Sequence, residues 1–355
     1  MTDWVLHDFL QVNGGAERLV LTLAAGLPGF SLGVSGIYSE FSATGDLMGL
    51  RPKVPSWTRG LPRVARAIAS FAAPAFPIQN SERVVYSGLY APLAVQHQRA
   101  GRKIYYCHTP PRFAFGETDD YLARVAAAFR PALSVAIERY RRAYLSALER
   151  MDIVLANSAH VARKLAGLNI HAEVLYPPVD VDSFKWLGQD GYYLSVGRLE
   201  PNKRIDNIVR AFMAMPDKKL IVVSGGSQFG LLSRMTEKAP NISITGWVDD
   251  AALAQWIGGA IAVIYVARDE DFGISAVEAM AAGKPVIAAD EGGLRESVVD
   301  GKTGILIEPT AEAIAAAVRR LDGSYAQAMR DDCERRAALF SRTRFLRSIS
   351  RYCEV

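Results

Sequence analysis

The segment Ala267-Arg268-Asp269-Glu270-Asp271-Phe272-Gly273-Ile274-Ser275-Ala276-Val277-Glu278-Ala279-Met280-Ala281-Ala282-Gly283-Lys284-Pro285-Val286-Ile287-Ala288 follows an apolar run, Ile261 to Val266, that has the length of a buried strand. Polar residues then turn the chain, and small and apolar residues from Ile274 onward suit a helix. Gly283, Lys284 and Pro285 stop it, because glycine accepts a left-handed cap and proline lacks an amide donor. A second apolar strand, Val286 to Ala289, follows at once. This strand, loop and helix hold two carboxylates in fixed relation, Glu270 beyond the strand's C-terminal end and Glu278 one or two turns into the helix. Between them the amides around Phe272, Gly273 and Ile274 form an open helix N-terminus. Such amides and the positive dipole end favour phosphate, while a carboxylate accepts hydrogen bonds from two neighbouring sugar hydroxyls. A nucleotide sugar is a ligand of that kind. Taken singly, each glutamate reads more readily as a solvated surface charge.

The joint pattern has Glu270 and Glu278 with Phe272-Gly273 between them and Gly283-Lys284-Pro285-Val286 after them. It resembles the signature of retaining GT-B glycosyltransferases of the large family 4. The resemblance implies an α/β protein of GT-B type, two Rossmann-like parallel-sheet domains facing each other across a cleft.

Length and composition are compatible with that. A chain of 355 residues exceeds the size at which one core usually keeps growing, so two domains are expected. No window approaches the twenty apolar residues of a membrane span. Asp3, Asp8 and Glu17 stand where a signal peptide is basic and then apolar, so a cytoplasmic protein is expected. Cys107, Cys333 and Cys353 are too few and too scattered for a disulfide framework or a zinc site. The net charge of +4 is too small to argue for nucleic acid. Its distribution says more. Residues 47–81 carry Arg51, Lys53, Arg59, Arg63 and Arg66 and no acid, interleaved with Trp57, Leu61, Val64, Ile68 and Phe71. That mixture suits an anionic membrane surface, as on the inner face of the cytoplasmic membrane, or equally a helix packed on its own domain with solvated arginines. In the helical stretch 119–150, Arg139, Arg141 and Arg142 are read as partners of Glu138 and Glu149.

From the start, Trp4 to Phe9 reads as a strand leading to Gly14-Gly15 and a helix, Ala16 to Ala25. The three spaced glycines and later ribose acid of a dehydrogenase are missing. Paired glycines let a backbone approach a phosphate or sugar closely, though a tight turn explains them as well. Strands follow at Leu32 to Ile37, Arg83 to Tyr86 and Lys103 to Cys107. The last delivers His108-Thr109-Pro110-Pro111-Arg112 into a stiff loop, where open parallel sheets place their ligands. After a strand at Asp152 to Ala156, Asn157-Ser158 reads as a helix cap. The prolines of Tyr176-Pro177-Pro178-Val179-Asp180 make a stiff connector, and the first domain is taken as 1–180, the second as 181–335. In the second, strands at Tyr192 to Val196, Leu220 to Ser224, Ile242 to Thr245, Ile261 to Val266, Val286 to Ala289 and Gly304 to Ile307 alternate with helical sequence, as a parallel sheet covered on both faces requires.

Arg198 and Lys203 share the loop after the first of these strands. A planar fork of donors and a compact charge together hold a diphosphate, and fixed cations stabilise the charge that builds on it as a sugar leaves. The spelling Gly197-Arg198-Leu199-x-Pro201-x-Lys203 resembles the loop that carries the diphosphate-binding helix in the same family. By that resemblance, Arg198 and Lys203 clamp the diphosphate, Glu270 binds hydroxyls of the donor sugar, Glu278 binds the ribose and Val248 meets the base. Gly14 and Gly15 pack against the phosphates, and His108 reaches the sugar from the other domain. Asp8 and Arg112 are assigned to the acceptor, and a helix over 336–355 crosses back to the first domain. Asp269-Glu270-Asp271 is similar to the metal-holding D-x-D of GT-A enzymes, but with Arg198 and Lys203 neutralising the diphosphate no metal or other cofactor is expected. Asn13-Gly14-Gly15-Ala16-Glu17-Arg18 and Tyr105-Tyr106-Cys107-His108-Thr109-Pro110-Pro111-Arg112-Phe113 resemble bacterial O-antigen and exopolysaccharide mannosyltransferases. That implies GDP-mannose as donor and a glycan or lipid-linked oligosaccharide as acceptor, with GDP-rhamnose or a UDP-sugar as the alternative donor. A nucleotide-sugar epimerase or hydrolase and a non-catalytic nucleotide-sugar-binding subunit are the rival classes.

Overall fold

Apolar strands alternating with amphipathic helices build sheets that must be covered on both faces, and the computed structural model, which describes residues 3–354, contains two such sheets. The chain divides into the units Met1–Tyr176 with Phe345–Val355, and Pro177–Arg344. The first unit therefore ends before Pro177-Pro178.

The first unit runs β1 (Asp3–His7), α1 (Gly15–Gly26), β2 (Phe30–Val34), α2 (Ser39–Thr44), α3 (Arg63–Ala72), β3 (Arg83–Ser87), β4 (Arg102–Cys107), α4 (Thr118–Ala123), α5 (Arg130–Leu148), β5 (Ile153–Ala156), α6 (Ala159–Ala166) and β6 (Glu173–Val174). All its strands are parallel, in the order β2-β1-β3-β4-β5-β6. Alternation along the strands divides the core. Leu6, Val84, Tyr86 and Tyr105 belong to one cluster, and Val5, Val85, Ile104 and Tyr106 to another. Ser158 caps α6 by accepting from the amide of Val161 (3.0 Å), and Glu138 pairs with both Arg141 and Arg142.

The second unit runs β7 (Tyr192–Val196), α7 (Ile205–Met213), β8 (Lys219–Val223), α8 (Phe229–Thr236), β9 (Ile242–Gly246), α9 (Asp250–Gly259), β10 (Val263–Tyr265), α10 (Ile274–Ala281), β11 (Val286–Ala289), α11 (Leu294–Ser297), β12 (Gly304–Ile307), α12 (Ala311–Arg320), α13 (Gly323–Ala328) and α14 (Arg330–Ala338). Its order is β12-β11-β10-β7-β8-β9, again parallel. Instead of one terminal helix over 336–355, the chain ends in α14 and a separate α15 (Arg342–Cys353). Phe345, Ile349 and Cys353 of α15 are buried in the first unit's core, with the Phe345 ring edge-on to Tyr106 at 6.0 Å.

These orders decide where loops meet. The second sheet grows outward from β7 through β8 to β9, then restarts on β7's other side with β10, so the loops after β7 and β10 leave adjacent strands in opposite directions. An open crevice at such a reversal is where parallel sheets bind ligands. In the first sheet the reversal lies between β1 and β3.

Candidate functional site

At the second unit's reversal, β7 passes into Gly197 (φ +140°) and exposed Arg198, then a 3-10 turn, Pro201–Lys203, before α7. The next loop holds this one in place. Leu199 N donates to Gly225 O (2.9 Å) and Gln228 N to Leu199 O (2.8 Å). A Cβ at Gly226 would stand 2.7 Å from the backbone of Leu199, so only glycine permits the approach. On the other side, Arg268 N donates to Asn202 O (2.7 Å), joining the loops after β7 and β10.

That junction brings Lys203 and Glu270 into contact. Lys203 Nζ donates to Glu270 Oε2 (2.7 Å) and to Tyr265 Oη (2.9 Å), and Tyr265 Oη donates to the same Oε2 (3.0 Å). Two of the ammonium's three donors are engaged, which leaves the third for an incoming oxygen. Burial pushes the Tyr265 hydroxyl well above its ordinary value; the Glu270 and Glu278 charges add to this, and Arg198 opposes it. Lys203 and Glu270 both contact this one hydroxyl directly. Glu270's loop is pinned from behind. Gly293 N donates to Glu270 O (2.8 Å), and Glu291 accepts from Arg204 Nη1 (2.7 Å) and from the amide of Asp269 (3.2 Å).

Gly273, with φ +89°, opens α10, and no side chain caps the helix. The first-turn amides at Ile274 therefore remain suited to an anion. Glu278, one turn further on, is 6% exposed and not a surface charge. The Phe272 side chain is buried and packs edge-on to Phe340 at 5.2 Å. Its ring serves the core, and only its backbone lies along the loop. Val248 follows β9, two strands from β7, and exposed Trp247 beside it lies against Gly225, whose carbonyl accepts from Leu199 in the Arg198 loop.

In the first unit, His108 follows β4 and joins the residues that end β1 and β3. Ser87 Oγ lies 2.8 Å from His108 Nε2 and 3.3 Å from His7 Nδ1, so one hydroxyl bridges two imidazoles. Burial lowers His7 to about 4, and burial with the neighbouring His7 lowers His108 to about 3. Both rings are neutral near pH 7. Asp8 is a correction to the acceptor assignment. Its carboxylate accepts from the amides of Leu89 (2.6 Å), Tyr90 (2.7 Å) and Ala91 (2.8 Å), so it anchors that turn. Burial raises it to about 6 against the pull of those amides. Neither Gly14 nor Gly15 has positive φ. A Cβ at Gly14 would meet the Glu17 carboxylate at 2.8 Å. Arg112 makes a long contact with Glu117 (3.5 Å).

Buried His7 and half-buried His108 predict acid sensitivity. Each takes up a proton more readily unfolded than folded, so stability is full above about pH 6.5 and falls as pH drops toward 4 and 3. Asp8, raised to about 6, works in the opposite sense over the same window, but it is one group against two. Melting followed from pH 7 to 4 is expected to fall less in His108→Gln than in the parent protein, and identical pH slopes would remove His108 as a cause.

With this geometry in view, the chain was compared with known proteins. Residues 180–339 match the family model Glycosyl transferases group 1. The D-inositol 3-phosphate glycosyltransferase of Mycobacterium leprae (strain Br4923) is 33% identical over 186 residues, 45% of this chain and 43% of that protein. The enzyme of the same name from Mycobacterium tuberculosis (strain ATCC 25177 / H37Ra) is 31% identical over 223 residues, 55% and 46% of the two chains. The chain thus spans less than half the length of these curated relatives. Among solved structures, Anabaena Alr3699/HepE in complex with UDP and glucose superposes with a TM-score of 0.77 at 17% identity, covering 99% of both chains. The sucrose-phosphate synthase from Thermosynechococcus elongatus gives 0.71 at 20% identity, covering 99% of this chain and 98% of its own. The fold is GT-B.

The segment that matches this model contains Arg198, Lys203, Glu270 and Glu278. It also contains residues that sequence reasoning passed over. Tyr265, which receives Lys203 and holds Glu270, reads as the end of an apolar strand. Glu291-Gly292-Gly293 and Ser224-Gly225-Gly226 show only as turn signals, yet each braces a loop that carries a charged site residue.

Proposed function

We propose that the protein is a retaining glycosyltransferase that moves a hexose, mannose from GDP-mannose, to a glycan or lipid-linked oligosaccharide in cell-surface polysaccharide synthesis. The observation that carries the transfer reading is the Lys203–Tyr265–Glu270 contact at the strand-order reversal. A cation suited to a diphosphate and an acid suited to sugar hydroxyls occupy one place, near an uncapped helix N-terminus. In this reading Arg198 and Lys203 hold the diphosphate, the amides at Gly273 and Ile274 assist them, Glu270 takes sugar hydroxyls and Glu278 the ribose. As the glycosidic bond to the diphosphate breaks, its electron pair goes to the departing phosphate oxygen. The acceptor hydroxyl attacks from the same face, and a diphosphate oxygen takes its proton, which retains the anomeric configuration.

The UDP named with the Anabaena structure favours a UDP-sugar as the second reading. A panel of GDP- and UDP-sugars, scored for hydrolysis and thermal stabilisation, decides between them. Product formed without any acceptor would favour an epimerase or hydrolase instead.

For the membrane partner, Trp57, Leu61, Val64 and Ile68 are 59, 42, 48 and 38% exposed, and Arg51, Lys53 and Arg59 are exposed beside them in sequence. Thr58 and Ser70 are joined at 3.3 Å, which holds Trp57's turn to α3. Among the described residues no helix is long and apolar enough to cross a membrane. The proposal is peripheral binding to an anionic surface, tested by sedimentation with phosphatidylglycerol vesicles and by its loss in Trp57→Ser.

A further inference from the structure

Two arginines of the basic segment lie against rings and backbone of their own unit, Arg66 half-buried and Arg63 exposed above them. The loops that prolong β1 and β2 run side by side: Leu10 N donates to Gly36 O (3.0 Å) and Tyr38 N to Leu10 O (2.9 Å). The rings of Phe9 and Tyr38 meet edge to face at 5.8 Å. The Arg63 guanidinium lies 5.4 Å from the Phe9 ring centre and 6.0 Å from that of Tyr38. A Cβ at Gly36 would stand 3.2 Å from Cζ and Nη1 of Arg66 and 3.3 Å from the Tyr38 ring. A guanidinium and a phenol thus converge over bare backbone.

Arg66 Nε and Tyr38 Oη are both buried, and among the described residues neither has a hydrogen-bond partner. Asp8 is closed off by three amides, and Glu40 accepts from Ser39. A buried donor left unmade is destabilising, and groups of this kind persist where a ligand supplies the missing bonds.

We infer that Arg66, Arg63 and Tyr38 form a subsite for a phosphate group carried by the acceptor. Arginine's planar fork matches two phosphate oxygens, the Tyr38 hydroxyl donates to a third, and the Phe9 ring gives the sugar an apolar wall. That the phosphate belongs to an acceptor rests on the transfer reading above; the anion site itself does not.

Calorimetric titration of the full chain with inorganic phosphate, glucose 6-phosphate and glucose tests this, with phosphatidylglycerol vesicles as the lipid head-group arm. Glucose 6-phosphate is expected to bind and glucose not to. Arg66→Gln and Tyr38→Phe should each weaken the sugar phosphate by about tenfold, while thermal stabilisation by GDP or UDP stays as in the parent protein. Tyr38→Phe removes a hydroxyl that has no hydrogen-bond partner among the described residues, so it leaves the fold intact if Arg66→Gln does not. Equal affinity in parent and Tyr38→Phe overturns the site. Binding to vesicles with none to either soluble phosphate overturns the acceptor assignment. Phosphate binding that depends on Arg66, in a protein that processes no nucleotide sugar, upholds the site and sinks the transfer reading.

Discussion

Glu270→Gln is expected to lower the proposed hexose transfer by about 10²–10³-fold, the usual loss when one fixed polar contact to a reacting group is removed. The substitution preserves shape and changes charge. In the parent protein, Oε2 accepts from both Lys203 (2.7 Å) and Tyr265 (3.0 Å), so the carboxylate positions the lysine as well as any sugar hydroxyl. An amide oxygen accepts the same bonds without balancing the ammonium, so Lys203 loses its fixed place. The side chains are 15% and 19% exposed, and a partly solvated pair of this kind contributes less than the several kcal/mol of a fully buried one. Folding should therefore fall by only about 1–2 kcal/mol. Turnover with the identified donor, set beside a melting curve, separates the two effects. Full activity in the variant would take Glu270 out of the site.

Gly293→Ala should impair both stability and turnover, and for a reason unrelated to glycine's flexibility. Gly293 sits at φ −73°, ψ −10°, where alanine is as comfortable as any residue. The added Cβ, however, would stand 2.2 Å from Asp271 O, 2.6 Å from its carbonyl carbon and 2.7 Å from Phe272 Cα. All three are backbone atoms, so no rotamer change relieves the clash, and the loop carrying Glu270 must move. Overpacking of this kind costs about 1–3 kcal/mol, and a shift of about 1 Å in a positioned group costs about 10²-fold in rate. Gly301→Ala is the control. There φ is +71° and no atom lies within 4 Å, so it should cost about 1 kcal/mol of stability with turnover unchanged. If Gly293→Ala is as active as Gly301→Ala, the bracing role of Gly293 is wrong.

Both predictions rest on a contact that is half legible in the sequence. Each of Arg198, Lys203, Glu270 and Glu278 stands just past an apolar run or early in the helix after it, and a parallel sheet places such positions at one edge. Tyr265 is invisible by the same reasoning, since a tyrosine ending a strand looks like core until its hydroxyl is seen to bridge Lys203 and Glu270. Asp8 misleads in the other direction: it ends a strand as a ligand residue would, but three amides from residues 89–91 claim it. Arg66 reads as a solvated or lipid-facing charge, and the bare backbone and ring beside which it is half-buried come from residues 36 and 38.

The sequence by itself determined the alternation of strand and helix, the parallel class of both sheets and the polar residues at strand ends, because these follow from side-chain periodicity over a few residues. Only the tertiary structure decided which strand ends are neighbours. Lys203 and Glu270 lie 67 positions apart and meet because β10 pairs with β7 in place of β9, an order set by burial of the whole core and not by any local pattern.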